Sequence, residues 1–169
     1  MKFTLPLLLT GLLTSLTTAI ALPRGSSSAA IQIPGKSELR VYYQNGQNFI
    51  FEANVGPPTS APSATRNIFT GVTRTNTPLA AVTWLETDPA NPEIRVYYVT
   101  PRNTLAELAF IKGQWKVGAD IGFAVQPDSD ALYALRVGTT IIVGYSNADG
   151  NLAEAYYSTG TPVWQTYTL

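Results

Sequence analysis

The 169-residue chain contains no cysteine and no histidine. Ser-His-Asp and Cys-His catalysis are therefore impossible, no disulfide framework can form, and a structural zinc site lacks its usual ligands. Only 13% of the residues are charged, and the 11 basic side chains balance the 11 acidic ones. Without a basic stripe, nothing in the charge distribution suits nucleic acid. The phosphate-binding glycine loops G-x-x-x-x-G-K and G-x-G-x-x-G do not occur, and neither does an N-x-S/T acceptor. Any activity must come from Asp, Glu, Arg, Tyr or Trp, and no cofactor or metal is implied.

The chain opens with one Lys, a Leu-rich stretch and then Ala19-Ile20-Ala21. This layout predicts a secretory leader over residues 1–21 with an A-x-A cleavage pattern, and hence an extracellular protein. The apolar run is short and broken by Thr and Ser, so no membrane span is expected. Residues 22–28 read as a short tail, and residues 29–169 as one domain large enough to bury a core.

Internal repeats organise that domain. LRVYYQ at 39–44, IRVYYV at 94–99 and IIVGYS at 141–146 align; so do NFIFEA at 48–53, TLAELA at 104–109 and NLAEAY at 151–156. AAIQI, AAVTW and LYALR lie upstream, and NIFTGV at 67–72, QWKVGA at 114–119 and PVWQTY at 162–167 lie downstream. The segments are short, rich in Val, Ile, Tyr and Trp, and bounded by Gly, Pro, Asn and Asp, which is the signature of strands. Asn45-Gly46 and the NADG run at 147–150 predict the hairpin turns. The expected fold is all-β: three four-stranded propeller blades, over about 29–77, 78–128 and 129–169. The first repeat carries a surplus, GPPTSAPSATR at 56–66, which reads as an exposed loop.

One charged pair keeps step with the repeat. Arg40 and Glu52 are 12 residues apart, as are Arg95 and Glu107. With the midpoints, 46 and 101, in the predicted turns, each pair should sit directly opposite on one face. The third repeat keeps Glu154 but has Ile142 in place of Arg. Two readings stay open: a solvated cross-strand ion pair, or a clamp for a hydroxyl, since Arg supplies donors and an ionised Glu only acceptors. Aromatics that could stack on a sugar's C–H face follow the same repeat, namely Phe110, Tyr157, Trp115 and Trp164; Trp84 reads as inter-blade packing.

In the order and spacing of AAVTW, IRVYYV, the repeat Glu and QWKVGA, the chain resembles the fungal fucose-specific lectins. The resemblance implies a six-bladed propeller that binds fucose between blades, Arg and Glu coming from one blade and aromatics from the next. Carried over by position, it implies one site of Arg40, Glu52, Phe110 and Trp115, and a second of Arg95, Glu107, Ala119, Tyr157 and Trp164. Val72, aligned with Ala119, is expected to crowd the first site.

Three blades cannot close a ring, so the expected assembly is a homodimer that completes six. Its inter-chain pockets, where Ile142 and Glu154 would meet Val55 and Ile68, should be silent. The expected function is binding of L-fucose or fucosylated glycans without catalysis. A secreted interaction or effector-type protein with degenerate sugar sites stays open as an alternative, as does a glycoside hydrolase. Against the latter, each repeat offers one aligned carboxylate, beside an Arg that lowers its pKa.

Overall fold

The structure is a computed structural model that describes residues 19–85 and 91–169. Most of the expected leader, residues 1–18, lies outside the described residues. Twelve strands run in order: β1 (Ser28–Gln32), β2 (Leu39–Gln44), β3 (Ile50–Val55), β4 (Pro62–Phe69), β5 (Ala80–Trp84), β6 (Glu93–Val99), β7 (Thr104–Ile111), β8 (Gln114–Ala124), β9 (Leu132–Val137), β10 (Thr140–Ser146), β11 (Leu152–Ser158) and β12 (Thr161–Thr168). They form three four-stranded antiparallel sheets, β1–β4, β5–β8 and β9–β12, and no helix occurs among the described residues. These are three propeller blades, as the repeats predict. The first strands of neighbouring blades touch, β1 against β5 and β5 against β9.

Alternation along each strand gives every blade two faces, and each inter-blade seam is a hydrophobic core. Ile31, Ile33, Tyr42 and Ile50 of the first blade meet Ile94, Val96, Tyr98 and Leu108 of the second. Tyr97, Val99, Leu105 and Ile121 of the second meet Ile141, Val143, Tyr145 and Ala155 of the third. A middle blade is therefore buried on both faces, and its central strand reads IRVYYV without polar alternation. The third blade's outer face stays open, with Tyr133, Leu135 and Val137 exposed along β9.

The three hairpins between second and third strands share one turn. Asn48, Asn103 and Gly150 take positive φ in it. The side-chain oxygens of Asn45, Thr100 and Asn147 accept backbone N–H groups across it. The left-handed residue is thus Asn48, not Gly46, and the hairpin centre moves one residue along. Arg40 consequently faces Asn54 and Glu52 faces Tyr42; Arg95 faces Ala109 and Glu107 faces Tyr97. Each Arg is diagonal to its Glu, on the same face but not directly opposite as the spacing suggested.

The first blade's outer strand also differs from expectation. It is Pro62–Phe69, not residues 67–72, so half of the presumed loop is strand. An outermost strand needs no partner on its free edge, and Pro is tolerated at its first position. Val72 lies beyond it, 62% exposed, and crowds nothing. Ile68 packs into the seam with the second blade, not on the blade's outward face.

Replacing the fully buried Leu105 by Ala should lower the unfolding free energy by about 2–5 kcal/mol, because the seam cannot collapse around the void. Chemical denaturation of the variant measures this, and a loss below about 1 kcal/mol would mean the seam is loosely packed.

Candidate functional site

The seam between the second and third blades holds a cavity of about 220 Å³ lined by Arg95, Glu107, Ala119, Ile141, Tyr157 and Trp164. All five residues expected of the second site therefore come together, the charged pair from one blade and the aromatics from the next. Trp164 stands edge-on to Tyr97 at 6.0 Å and tilts against Tyr157 at 5.6 Å. Trp84 lies in the same seam between two guanidinium groups, Arg95 at 5.1 Å and Arg136 at 4.6 Å.

Glu107 is 7% exposed. The Tyr97 hydroxyl donates to its Oε2 at 3.0 Å, and the Ala119 backbone N–H also binds it. Arg95 Nε stands 3.6 Å from Oε1, too far for a direct hydrogen bond, because Arg95 Nη1 is drawn to Glu93 at 2.9 Å and to the Ile94 carbonyl at 3.0 Å. Burial raises the carboxyl's pKa despite the lowering influence of Arg95, Tyr97 and Ala119. This reverses the expectation that Arg would dominate.

Room beside Glu107 comes from a β-bulge. Leu108 pairs with Val117 and Ala106 with Asp120, so Gly118 and Ala119 together oppose the glutamate and neither projects a long side chain over it. A Cβ on Gly118 would sit 2.5 Å from Glu107 Oε1 and 2.9 Å from its backbone carbonyl.

The first seam repeats the elements but not the opening. Arg40, Glu52 and Phe110 line a cavity of about 350 Å³, while Trp115 packs beside it, edge-on to Tyr42 at 5.8 Å and 5.4 Å from Phe110. Here Glu52 pairs directly with Arg66 of β4, without a bulge. Glu52 Oε1 accepts Arg40 Nη1 and Arg66 Nε, each at 2.8 Å, and Oε2 accepts the Tyr42 hydroxyl at 3.2 Å. Arg66, not Val72, closes this glutamate off. In the third blade Tyr167 opposes Glu154 and Gly144 replaces the facing tyrosine. Tyr133 reaches in from β9, covers Gly144 and donates to Glu154 at 2.5 Å; Tyr167 donates to its other oxygen.

Several residues escape the sequence reading. Tyr42 and Tyr97 hold the glutamates, and the signal for them was the Tyr two positions after each Arg. Glu38 and Glu93 are second carboxylates at matched positions, two before each Arg, and each pairs with it. Arg66 lay hidden in the presumed loop. Among the described residues no group of three or more Asp and Glu is placed to hold a metal.

No protein-family model matches the chain, and no curated protein does. Solved structures do. The fucose-specific lectin from Aleuria aurantia is 28% identical with a TM-score of 0.72, over 87% of this chain and 49% of that one. Another structure of that lectin describes a six-bladed β-propeller and is 27% identical with a TM-score of 0.71. A fucose lectin from Kordia zhangzhouensis, in complex with methyl-fucoside, shares the fold at 19% identity and a TM-score of 0.60; the match covers 85% of this chain and 100% of that one. The chain thus spans about half the length of the Aleuria lectin. It is similar over most of its own length to half of a six-bladed fucose-lectin propeller, and the resemblance read from the repeats is carried by both fold and sequence.

Proposed function

We propose that this is a secreted lectin that binds L-fucose or fucosylated glycans in the second pocket, without catalysis and without a metal. The observation that carries the reading is the bulge-opened Glu107. It is a buried carboxylate with acceptor capacity to spare, beside a guanidinium whose Nη2 is unbonded among the described residues and between aromatic rings. A sugar hydroxyl can donate to Glu107 and accept from Arg95, while a C–H face packs on Trp164 and Tyr157. The cavity is smaller than sites for drug-sized ligands, which suits one sugar ring. The secretory-leader layout expected over residues 1–21 is what supports secretion. Hydrolysis is the weaker reading, since Glu107 is the one carboxylate lining this cavity and glycoside hydrolysis ordinarily needs two flanking the bond. A released-sugar assay should stay blank.

The ring is completed by a second copy. The third blade's open face presents Tyr133, Leu135 and Val137 at the positions by which Ala80, Val82 and Trp84 of the second blade pack onward. The first blade's outward face carries Leu39, Val41, Tyr43, Phe51 and Ala53, matching the second blade's buried Ile94, Val96, Tyr98, Ala106 and Leu108. In this chain Ala19–Ala21 lie beside Tyr43 and Phe51, so cleavage after Ala21 would clear that face. The pockets created between copies would be silent, with Glu154 already held by Tyr133 and Tyr167 and with Val55 and Pro62 in place of the Phe110–Trp115 pair.

Titration with methyl fucoside should show that Arg95→Ala costs about 2–5 kcal/mol of binding, whereas Arg40→Ala costs less than about 0.5 kcal/mol. Equal losses would contradict the assignment to the second pocket. Affinity should hold at neutral pH and fall on acidification, because protonation removes the charge that strengthens Glu107 as an acceptor and turns one of its oxygens into a donor. Its pKa is raised by burial, so the loss should begin at a higher pH than an ordinary glutamate would give.

Light scattering of the processed protein should give twice the mass of one chain, and Leu135→Lys should halve it. A wild-type monomer that stays soluble would refute ring closure by a second copy.

A further inference from the structure

We propose that the first pocket recognises an anionic saccharide, one bearing a carboxylate or a sulfate, and excludes neutral fucose. The proposal rests on the reading of the inter-blade pockets as saccharide sites. Arg66 is its centre. The Arg66 Nε is fixed to Glu52 at 2.8 Å and its guanidinium lies 5.4 Å from the centre of the Phe110 ring. Its two Nη groups make no hydrogen bond among the described residues, and the side chain is 46% exposed. A guanidinium pinned along one edge and over one ring offers its remaining N–H groups as a preformed fork for a planar or tetrahedral anion.

The surrounding charge agrees. The cavity of about 350 Å³ is lined by three cations, Lys36, Arg40 and Arg66, against two carboxylates, Glu38 and Glu52. Both carboxylates are committed, Glu38 to Arg40 and Glu52 to Arg40 and Arg66. Lys36 has no ion pair among the described residues. The second pocket, lined by one Arg and one Glu, is balanced.

A bare anion would satisfy the cations but not the rest of the lining. Asn54 borders the same cavity, and its Oδ1 is buried without a hydrogen-bond partner. A buried acceptor left unpaired is costly, and a sugar hydroxyl is a donor of the right kind. The same Arg66 contact that builds the anion fork removes the free acceptor of Glu52, so a neutral sugar loses the partner it finds in Glu107.

The test uses the full processed protein carrying Arg95→Ala, which silences the second pocket. Methyl glucuronide, glucose 6-sulfate and methyl fucoside are titrated by ligand-observed NMR. At least one anionic sugar should bind, with affinity falling as salt is added, and methyl fucoside should not. Binding by one anionic sugar alone names the anion the pocket takes. Adding Arg66→Ala should weaken the anionic sugar by about tenfold or more. Lys36→Ala, on an exposed side chain that bears on no core contact, should weaken it as well. Anionic sugars that bind no better than fucose, or that are unaffected by both substitutions, would overturn the proposal. Methyl fucoside binding by the wild type tests the second pocket separately, so either reading can fail alone.

Discussion

A carboxylate on the third strand of each blade, deeply buried in the first two, sets the terms for everything around it. Glu52 and Glu107 are 1% and 7% exposed, and an ionised group taken that far from water must be met by donors or lose its charge. The donors come from fixed places. A tyrosine directly across the hairpin gives its hydroxyl, and an arginine two residues before it gives a guanidinium along the diagonal. Burial and the neighbouring carboxylate push both tyrosine hydroxyls toward the protonated, donating form. The carboxylate in turn holds the central hairpin in a single register. A slip by one position would turn the Arg and Tyr to the opposite face and leave the glutamate alone among apolar side chains.

The residue facing that glutamate from the outer strand decides what each blade can do. In the first blade Arg66 fills the remaining acceptor capacity. In the third, Tyr167 does, together with Tyr133, which compensates for Gly144 by a swap of large and small partners: Ala80 faces Tyr97, whereas Tyr133 faces Gly144. Glu154 is only partly buried, and its two phenolic donors lower its pKa, so it remains a carboxylate at less cost than its buried counterparts. Only in the second blade does a bulge fall opposite the glutamate, and there the carboxylate lines the cavity with no outer-strand side chain bonded to it.

The strands were legible because each is a short β-branched or aromatic run between turn residues, and three copies reinforced one another. The seams followed from the same repetition, with Phe110, Trp115, Tyr157 and Trp164 falling against the preceding blade. Register was less legible. Asn45-Gly46 looks like the turn, but the side chain of Asn45 organises a longer one in which Asn48 takes the left-handed position, and a single extra residue separates a facing pair from a diagonal one. The first blade's outer strand was hidden by composition. Pro, Ser and Thr signal a loop, yet an outermost strand that packs little tolerates all three, and Arg66 disappeared with it. The bulge left a trace only in Gly118, which carries no sign of what it faces.

Because each blade touches only its neighbours, a change in the outer strand need not disturb the rest of the array. Arg66 is half exposed on an edge, and Tyr167 is likewise exposed, whereas Tyr42, Tyr97 and the glutamates they bind lie in the seam cores, where Ile50, Val96, Leu105 and Val143 are all fully buried. The frame that buries the carboxylate is therefore shared, and the outer-strand position that decides its availability is not bound to the core. Three copies of one hairpin can in this way present an open glutamate, one bridged by a second arginine, and one capped by two tyrosines. The seam supplies the stability that lets them differ.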